Sequence, residues 1–436
     1  MSAVVDFIEL AALRYPEALR RILEVARERG PLLGDGNNVL VTGAAEVREV
    51  LDRPDDFLFG VVHAKKMKLG RFLLGMDVSP TYEAEKRALR QVVTGRQPVD
   101  HFAALVRKHC GPLIGRMSAT VDLTTGFIEP VIVAAAAEFY GIELSGAASA
   151  YINVAPGHPT FTQWMRKLGS LLPSAAPAPF GLEQLTDALG GEMLAFLSDA
   201  VSDVPPATSA KFESVVANLK WQASQPDAAL TKDDDIVRCV GGLMLAGSAM
   251  AKAAALAIHQ LVRCENRKAA VEYAALSGNV AEVAAHAWEA LRFQPVFPLL
   301  PRYCPRLCHL RTTRGELRSI PAGATVLISP LAAMFDPRSV PNPEQYIPTR
   351  PSHTYLHFGE GTHRCLAGVM AQRAIGELLT QLFAKCRIHR GRMSYDGPVV
   401  DRYVVKIEQR QESTNDYAKC DTDPRPTQYD CHAPLA

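Results

Sequence analysis

The chain has 436 residues, and 48% of them are hydrophobic, so it can bury a large core. Its 47 Lys and Arg residues balance 46 Asp and Glu, and a net charge of +1 gives no overall field for binding nucleic acid or an anionic membrane. Charged residues from Asp6 onward interrupt any apolar run at the N-terminus, so we expect a cytoplasmic protein with no signal peptide or membrane anchor. Nine scattered cysteines predict reduced thiols.

Most of the chain has the periodicity of amphipathic helices with alanine-rich faces. The clearest helical patterns are Glu9–Arg29, Phe102–Met117, Leu182–Asp203 and Val280–Arg292. Two short strand patterns lie at Asn38–Thr42 and Ala324–Ile328. We therefore predict a mainly α fold, with one large helical domain over residues 1–410 and a small β-sheet region. Residues 411–436 are polar and aperiodic, and we predict a surface tail there.

The longest predicted helix begins at Thr231, whose hydroxyl is placed to cap its first turn, and runs to about Cys264. Its uncharged centre, Cys239–Ala251, is bracketed by Arg238 and Lys252, well short of the ~20 apolar residues that a bilayer requires. We therefore expect a core helix. The helix contains four small residues, Gly241, Gly242, Ala246 and Gly247. Because glycine lowers helix propensity, their presence predicts either close helix packing or a bulky group lying against the helix.

Glu289 and Arg292 form an E-x-x-R pair, a spacing that places both side chains on one face of a helix. Most such pairs are solvated and contribute little to stability. Here the surroundings are apolar, and a third charge, Arg350, follows further along in Y-I-P-T-R-P. A buried pair is costly unless every polar atom is bonded, so its role would be structural specification.

The stretch His357 to Gly368 reads H-F-G-E-G-T-H-R-C-L-A-G and places Cys365 at the end of a glycine-punctuated loop. Gly359 and Gly361 permit the positive φ angles that let a backbone approach a flat ligand. The residues after Cys365 have the pattern of a helix start, whose free N–H groups would stabilise a thiolate. The loop is therefore suited to presenting a thiolate to a metal.

This segment resembles the haem-binding signature of the cytochrome P450 family, F-x-x-G-x-[H/R]-x-C-x-[G/A]. Five residues match it position by position: Phe358, Gly361, His363, Cys365 and Ala367. The long helix and the E-x-x-R pair precede it in the family's order, and the resemblance extends from about Val41 to Ile407. It implies the triangular, mostly helical fold of the family, one haem b (iron protoporphyrin IX), and Cys365 as the axial metal ligand.

The resemblance also implies roles for charged residues. Glu289, Arg292 and Arg350 would form a buried ion network that fixes the segment beneath the haem. His363 and Arg302 match positions that bind the haem propionates. Lys86 and Arg90 form a K-x-x-x-R pattern where the family has H-x-x-x-R, so they are candidates for the same task.

The long helix departs from its family at the oxygen-binding groove, which usually reads A-G-x-[D/E]-T. In the family, the acid and the alcohol deliver protons during oxygen activation. Here the groove would be formed by Ala246, Gly247, Ala249 and Met250, so alanine replaces the acid and methionine replaces the alcohol. Ser248 lies two positions from Met250, about 200° round the helix, and we expect it to face away from the haem.

The predicted substrate pocket is apolar. It is lined from the long helix and from the segment after Arg292 by Leu243, Ala246, Ala249, Met250, Val296 and Phe297. A basic run lies where the family has a substrate-entry loop: His63, Lys65, Lys66, Lys68 and Arg71. We predict that these residues form a solvated basic face, and the alternative is that they contact an anionic group of the substrate.

The resemblance implies a haem-thiolate oxidoreductase, a monomer that oxidises a small apolar organic molecule as a monooxygenase. Electrons would come from a ferredoxin and its reductase, since the chain has no G-x-G-x-x-G nucleotide fingerprint. Two alternatives fit the altered groove. One is an enzyme that needs no proton relay, either a peroxide-dependent peroxygenase or an isomerase or dehydratase. The other is a haem protein that binds or senses a ligand without turnover.

Overall fold

The computed structural model describes residues 11, 13–34, 37–64, 67–142, 166, 168–169 and 180–410, without the side chains of 180–186. The predicted tail at 411–436 lies outside the described residues, as do Lys65 and Lys66 of the basic run. A single domain over 1–410 stays a prediction, and it is favoured by one continuous cluster of buried hydrophobic residues that extends from Leu13 to Ile407.

Helices make up most of the described chain, which confirms the mainly α fold class. In chain order they are α1 (Pro16–Arg29), α2 (Ala44–Asp52), α3 (Gly60–His63), α4 (Pro80–Val93), α5 (Arg96–Ile114), α6 (Glu129–Tyr140), α7 (Phe180–Ser202), α8 (Val215–Ala223), α9 (Asp233–Val262), α10 (Glu265–Leu276), α11 (Val280–Phe293), α12 (Pro330–Ala333) and α13 (Gly368–Lys385).

Two helix boundaries differ from the sequence prediction. The predicted helix over Glu9–Arg29 is interrupted at Tyr15: Ala11, Leu13 and Arg14 are helical, and α1 begins at Pro16, which lacks an N–H and suits the first helical position. Helix α5 begins at Arg96, six residues before the predicted start, since Gly95 provides the N-cap and Pro98 is accommodated within the first turn. Helices α7 and α11 begin and end within two residues of the predicted positions.

The strands form three small sheets. They are β1 (Leu32–Gly34), β2 (Asn38–Val41), β3 (Thr120–Asp122), β4 (Leu300–Tyr303), β5 (Cys308–Arg311), β6 (Leu317–Ile320), β7 (Thr325–Ile328), β8 (Cys386–Ile388), β9 (Arg392–Asp396) and β10 (Val399–Gln409). The first sheet has the order β1-β2-β7-β4, so the two strands predicted from sequence, β2 and β7, pair directly and in parallel. Strands β3, β8 and β9 pair with β10, and β5 and β6 form a hairpin.

Helix α9 is the central helix of the fold. It begins at Asp233 after Lys232, without a side-chain cap, so the predicted capping role of Thr231 is wrong. The helix is long and apolar enough to cross a membrane by length and composition, but 67% of its most apolar window is buried inside the protein. It is therefore the core helix that the sequence predicts.

The glycines of α9 serve helix packing. A Cβ added at Gly242 would lie 2.2 Å from the Phe72 ring, and one at Gly241 would lie 2.9 Å from Leu69 Cδ1. Close packing, and not a bulky group, therefore explains the small residues at these two positions. Ala246 and Gly247, one turn further on, line the cavity described below.

Most described cysteines carry free thiols: Cys110, Cys239, Cys304, Cys308, Cys365 and Cys386. Cys264 is disulfide-bonded, so the expectation of reduced thiols throughout is wrong at that position.

Candidate functional site

The loop before α13 holds Cys365 in a fixed position. The Cys365 backbone N–H donates to the Phe358 carbonyl over 2.8 Å, and α13 begins three residues later at Gly368. Gly359 and Gly361 have φ angles of 67° and 69°, in the left-handed region that favours glycine. A Cβ at Gly361 would also lie 2.6 Å from the Leu51 carbonyl oxygen. Both glycines of the motif are thus required by the loop's conformation.

Cys365 differs from the other free cysteines of the described chain because its side chain is exposed while theirs are buried. The surface that it exposes faces a large cavity within the fold. Burial in this apolar setting raises the pKa of the Cys365 thiol, against the lowering effects of a hydrogen bond from the Ala367 backbone and of nearby Arg364. A thiolate here therefore requires a bound cation, and a metal provides one.

The cavity has a volume of about 290 Å³, close to the lower end of the ~300–1,000 Å³ that ligand pockets typically have. Its walls are largely apolar. Every predicted groove and pocket residue lines it: Leu243, Ala246, Gly247, Ala249, Met250, Val296 and Phe297.

Ser248 is turned away from this cavity. Its Oγ donates to the Leu245 carbonyl over 2.8 Å, and the residue lines a separate, smaller cavity instead. The α9 wall of the large cavity therefore presents Ala249 and Met250, neither of which can transfer a proton.

Cationic and hydrogen-bonding groups converge at one end of the cavity. Arg302 is 4% exposed, its guanidinium lies over the Phe59 ring, and its side chain donates to the Pro301 carbonyl. Burial lowers the pKa of Arg302 to about 10, with Asp77 opposing the shift. The described residues place no carboxylate within salt-bridge distance of this guanidinium. A buried cation of this kind is costly unless it meets an anion.

His363 lies beside Arg302, and its Nε2 has no hydrogen-bond partner among the described residues. Burial lowers the pKa of His363 to about 4, and the charges of Arg302 and Lys86 add to the effect. Lys86 Nζ donates to the Thr362 carbonyl over 2.6 Å, so this lysine reaches the cysteine loop. Arg302, His363 and Lys86 all line the cavity.

Arg90, the fourth predicted propionate ligand, is exposed and is not among the cavity-lining residues. Two other residues lie near these groups: His63, which the sequence placed in the basic run, and Tyr82, which it did not single out. His63 is 6% exposed and lines the cavity, so the prediction of a solvated face for the whole basic run is wrong at this position. Elsewhere in the run, Lys68 pairs with Asp187. Tyr82 lines the cavity too, and its hydroxyl donates to the Thr362 carbonyl, which no sequence pattern indicates.

The structure brings Glu289, Arg292 and Arg350 together in one buried network. Arg292 donates to Glu289 over 2.7 and 3.0 Å, and both side chains are fully buried. Arg350 Nε lies 3.2 Å from the same carboxylate, which also accepts from Tyr355 Oη and from the Ile347 backbone. Arg292 donates further to three backbone carbonyls, those of Met334, Pro343 and Gln345.

Comparison with known proteins agrees with this geometry. Residues 279–396, which include the ion network and the Cys365 loop, match the family model for cytochrome P450. The chain is 35% identical over 81 residues to a bifunctional dioxygenase (DOX)-epoxy alcohol synthase (EAS) of Pyricularia oryzae, a match to 19% of this chain and 7% of that protein. It is 34% identical over 109 residues to cytochrome P450 6k1 of Blattella germanica, a match to 23% of this chain and 20% of that protein.

The match to solved structures extends much further along the chain. The crystal structure of CYP164A2 from Mycobacterium smegmatis in the ligand-free state superposes with a TM-score of 0.72 and 18% identity, over 92% of this chain and all of that one. Residues 279–396 therefore match the cytochrome P450 family model, and the chain has the fold seen in solved cytochrome P450 structures.

Proposed function

We propose that this chain is a haem-thiolate oxidoreductase that oxidises a small apolar organic molecule in the cavity beneath α9. One observation carries the proposal. Among the free cysteines of the described chain, Cys365 alone is exposed, and it is exposed into a cavity that the buried Arg302 guanidinium also lines.

The residues present fit a haem b. Cys365 would be the axial ligand, and Phe358 and Ala367 line the cavity beside it. The buried Arg302 guanidinium and the unpartnered Nε2 of His363 are suited to two propionates, with Lys86 and His63 beside them. When bound, a thiolate-ligated haem supplies oxygen activation that favours cleavage of the O–O bond.

The other cavity residues bind the substrate and exclude water. Phe297, Val296 and Leu243 provide apolar surface, which selects substrates without charge. Ala249 and Met250 donate no proton, so protons would come from ordered water, from a substrate hydroxyl or from a more distant group. Electrons would come from a ferredoxin and its reductase.

A second candidate function is turnover with peroxide, or rearrangement of a substrate that already carries oxygen, because neither needs an acid and an alcohol on α9. The Ala249 and Met250 wall favours it. The similarity to proteins named epoxy alcohol synthases gives further support, although the match spans less than a tenth of their length.

The ligand assignment is tested by the absorption spectrum of the reduced carbonyl complex. The purified protein should show the thiolate-specific band, and Cys365→Ser should lose it. Cys386→Ala is the matched control, because this buried cysteine at the start of β8 does not line the cavity. Retention of the band in Cys365→Ser would overturn the assignment.

The reaction class is tested by comparing oxidants on one set of apolar substrates. A monooxygenase should give product with a ferredoxin, its reductase and a nicotinamide donor. A peroxygenase should give product only with peroxide, and an isomerase should convert hydroperoxides without any electron donor. If no condition gives product while the thiolate band is intact, a ligand-binding protein without turnover is the better description.

A further inference from the structure

A second, much smaller cavity lies against α9 beside the large cavity, with which it shares two lining residues. Ser248, whose hydroxyl α9 does not present to the large cavity, lines it together with Glu129 of α6 and Thr124 of the π-helical turn before α6. No role in the proposed function accounts for these buried polar groups.

Glu129 is the central group of this cavity. It is 7% exposed, and its carboxylate accepts two hydrogen bonds from Arg166, over 2.6 and 2.7 Å. Arg166 also lies 3.4 Å from Asp401, whose side chain is 42% exposed. The buried acid is therefore connected through one arginine to a carboxylate at the surface.

Thr124 shows that the cavity is suited to water. This residue is 2% exposed, and its Oγ1 has no hydrogen-bond partner among the described residues. A buried hydroxyl is normally bonded, and an ordered water needs two to four polar partners. Thr124 Oγ1, Ser248 Oγ and the Glu129 carboxyl provide them, and the cavity has room for a water molecule.

This cavity adjoins the large one. In the described chain, two residues line both: Ile132 of α6 and Gly247 of α9. Gly247 has no side chain, and it lies in the groove where the family's acid and alcohol would act. The water site is therefore next to the position at which protons are needed.

We propose that Glu129 is the proton reservoir of this protein, and that it acts through water in the small cavity, past Gly247, on the substrate or oxidant in the large cavity. The proton leaves the Glu129 carboxyl for the water, and the water passes a proton to a basic oxygen atom in the large cavity. Arg166 stabilises the carboxylate that remains, and a proton that enters from solvent through the water of the small cavity restores the acid. This inference rests on the proposed haem-thiolate function.

The electrostatics agree with such a role. Burial raises the pKa of Glu129 to about 7, although Arg166 opposes the shift, and Asp122 and Asp401 add to it. Lys252 also lines the cavity, and its ammonium donates to the Val296 carbonyl over 2.8 Å. An acid whose pKa lies near the working pH is well matched to proton transfer.

The test compares Glu129→Gln with Arg166→Gln. Both variants break the same ion pair, but only the first removes the acid. In the wild type, the fraction of electrons that end in product should fall as pH rises through about 7. Glu129→Gln should lower that fraction about 10-fold and make it independent of pH. Arg166→Gln should keep the dependence and move it to higher pH, since the carboxylate loses its cation.

Infrared titration of the resting protein gives a readout that needs no turnover. A buried carboxylic acid band should disappear as pH rises through about 7, be absent in Glu129→Gln and return in Glu129→Asp. Equal pH profiles of coupling in wild type and Glu129→Gln, or no such band, would overturn the proposal. An absent thiolate spectrum in wild type would instead reject the proposed function.

Should the ion-pair variants fold poorly, Thr124→Val and Ser248→Ala remove the water's partners without touching Glu129 or Arg166. Each should raise peroxide release several-fold while the thiolate spectrum stays intact. Unchanged coupling in both variants would reject the water path.

Discussion

At the residue scale, Ala249 and Met250 determine what the large cavity can do chemically. Restoring Ala249→Asp with Met250→Thr should raise the coupling of ferredoxin-supplied electrons to product for substrates without a hydroxyl, because a proton donor on α9 itself then adds to the supply from Glu129. The measurement is product formed against peroxide released. The matched control, Ala249→Asn with Met250→Val, has similar volumes but no acid or hydroxyl, and it should change little. Efficient wild-type coupling that the restored pair does not improve would contradict the expectation.

Arg302 allows the haem site to be tested apart from turnover. Because its guanidinium is buried against Phe59 without a carboxylate, Arg302→Met should leave the haem-free protein as stable as wild type or more so. The same variant should lose haem faster, since a propionate loses its cation. Arg90→Met, at an exposed position away from the cavity, is the control and should retain haem normally. Equal haem loss from both variants would contradict the assignment of Arg302.

At the scale of elements, the Glu289 network joins α11 to the segment that precedes the cysteine loop. Glu289→Ala would leave Arg292 buried without its partner, at a cost of about 3–5 kcal/mol, and should give little haem-loaded protein. Glu265→Ala is the matched control, because its pair with Lys268 has the same spacing but Glu265 is 86% exposed. The haem content and the free energy of unfolding by denaturant are measured for both variants. Normal haem content in Glu289→Ala would show that the network does not retain the cofactor.

The same elements show what the sequence can and cannot predict. The cysteine loop was predictable because its constraints are local: two glycines with positive φ and a helix start within twelve residues. The packing of Gly241 and Gly242 against Leu69 and Phe72 was not, because those partners lie some 170 positions earlier in the chain. The burial of His63 and the role of Tyr82 were not predictable for the same reason, since only the tertiary fold brings these residues to the cavity.

At the scale of the whole molecule, buried ionisable groups make stability depend on pH. Burial lowers the pKa of His259 and of His286 to about 4, so both are neutral in the folded protein at pH 7. The unfolded chain binds protons at these sites near pH 6.5, and stability is therefore lost as pH falls from about 6.5 towards 4. Glu129 acts in the opposite direction, because its raised pKa favours the folded state below pH 4.5 and the advantage is lost as pH rises through about 7.

His259 isolates the histidine contribution. Its Nδ1 has no partner among the described residues, and its ring packs edge-on against Tyr403 with centroids 5.5 Å apart, a contact that phenylalanine can keep. His259→Phe should therefore unfold at nearly the wild-type temperature at pH 7.5 and at a higher temperature than wild type at pH 5. The difference in unfolding free energy should reach about 1–3 kcal/mol, given one pKa shift of this size. Thermal unfolding followed by circular dichroism between pH 5 and 7.5 measures it. If the unfolding temperatures of the two proteins had the same pH dependence, the pKa of His259 would not differ between the folded and the unfolded chain. Acid sensitivity would then arise from other groups.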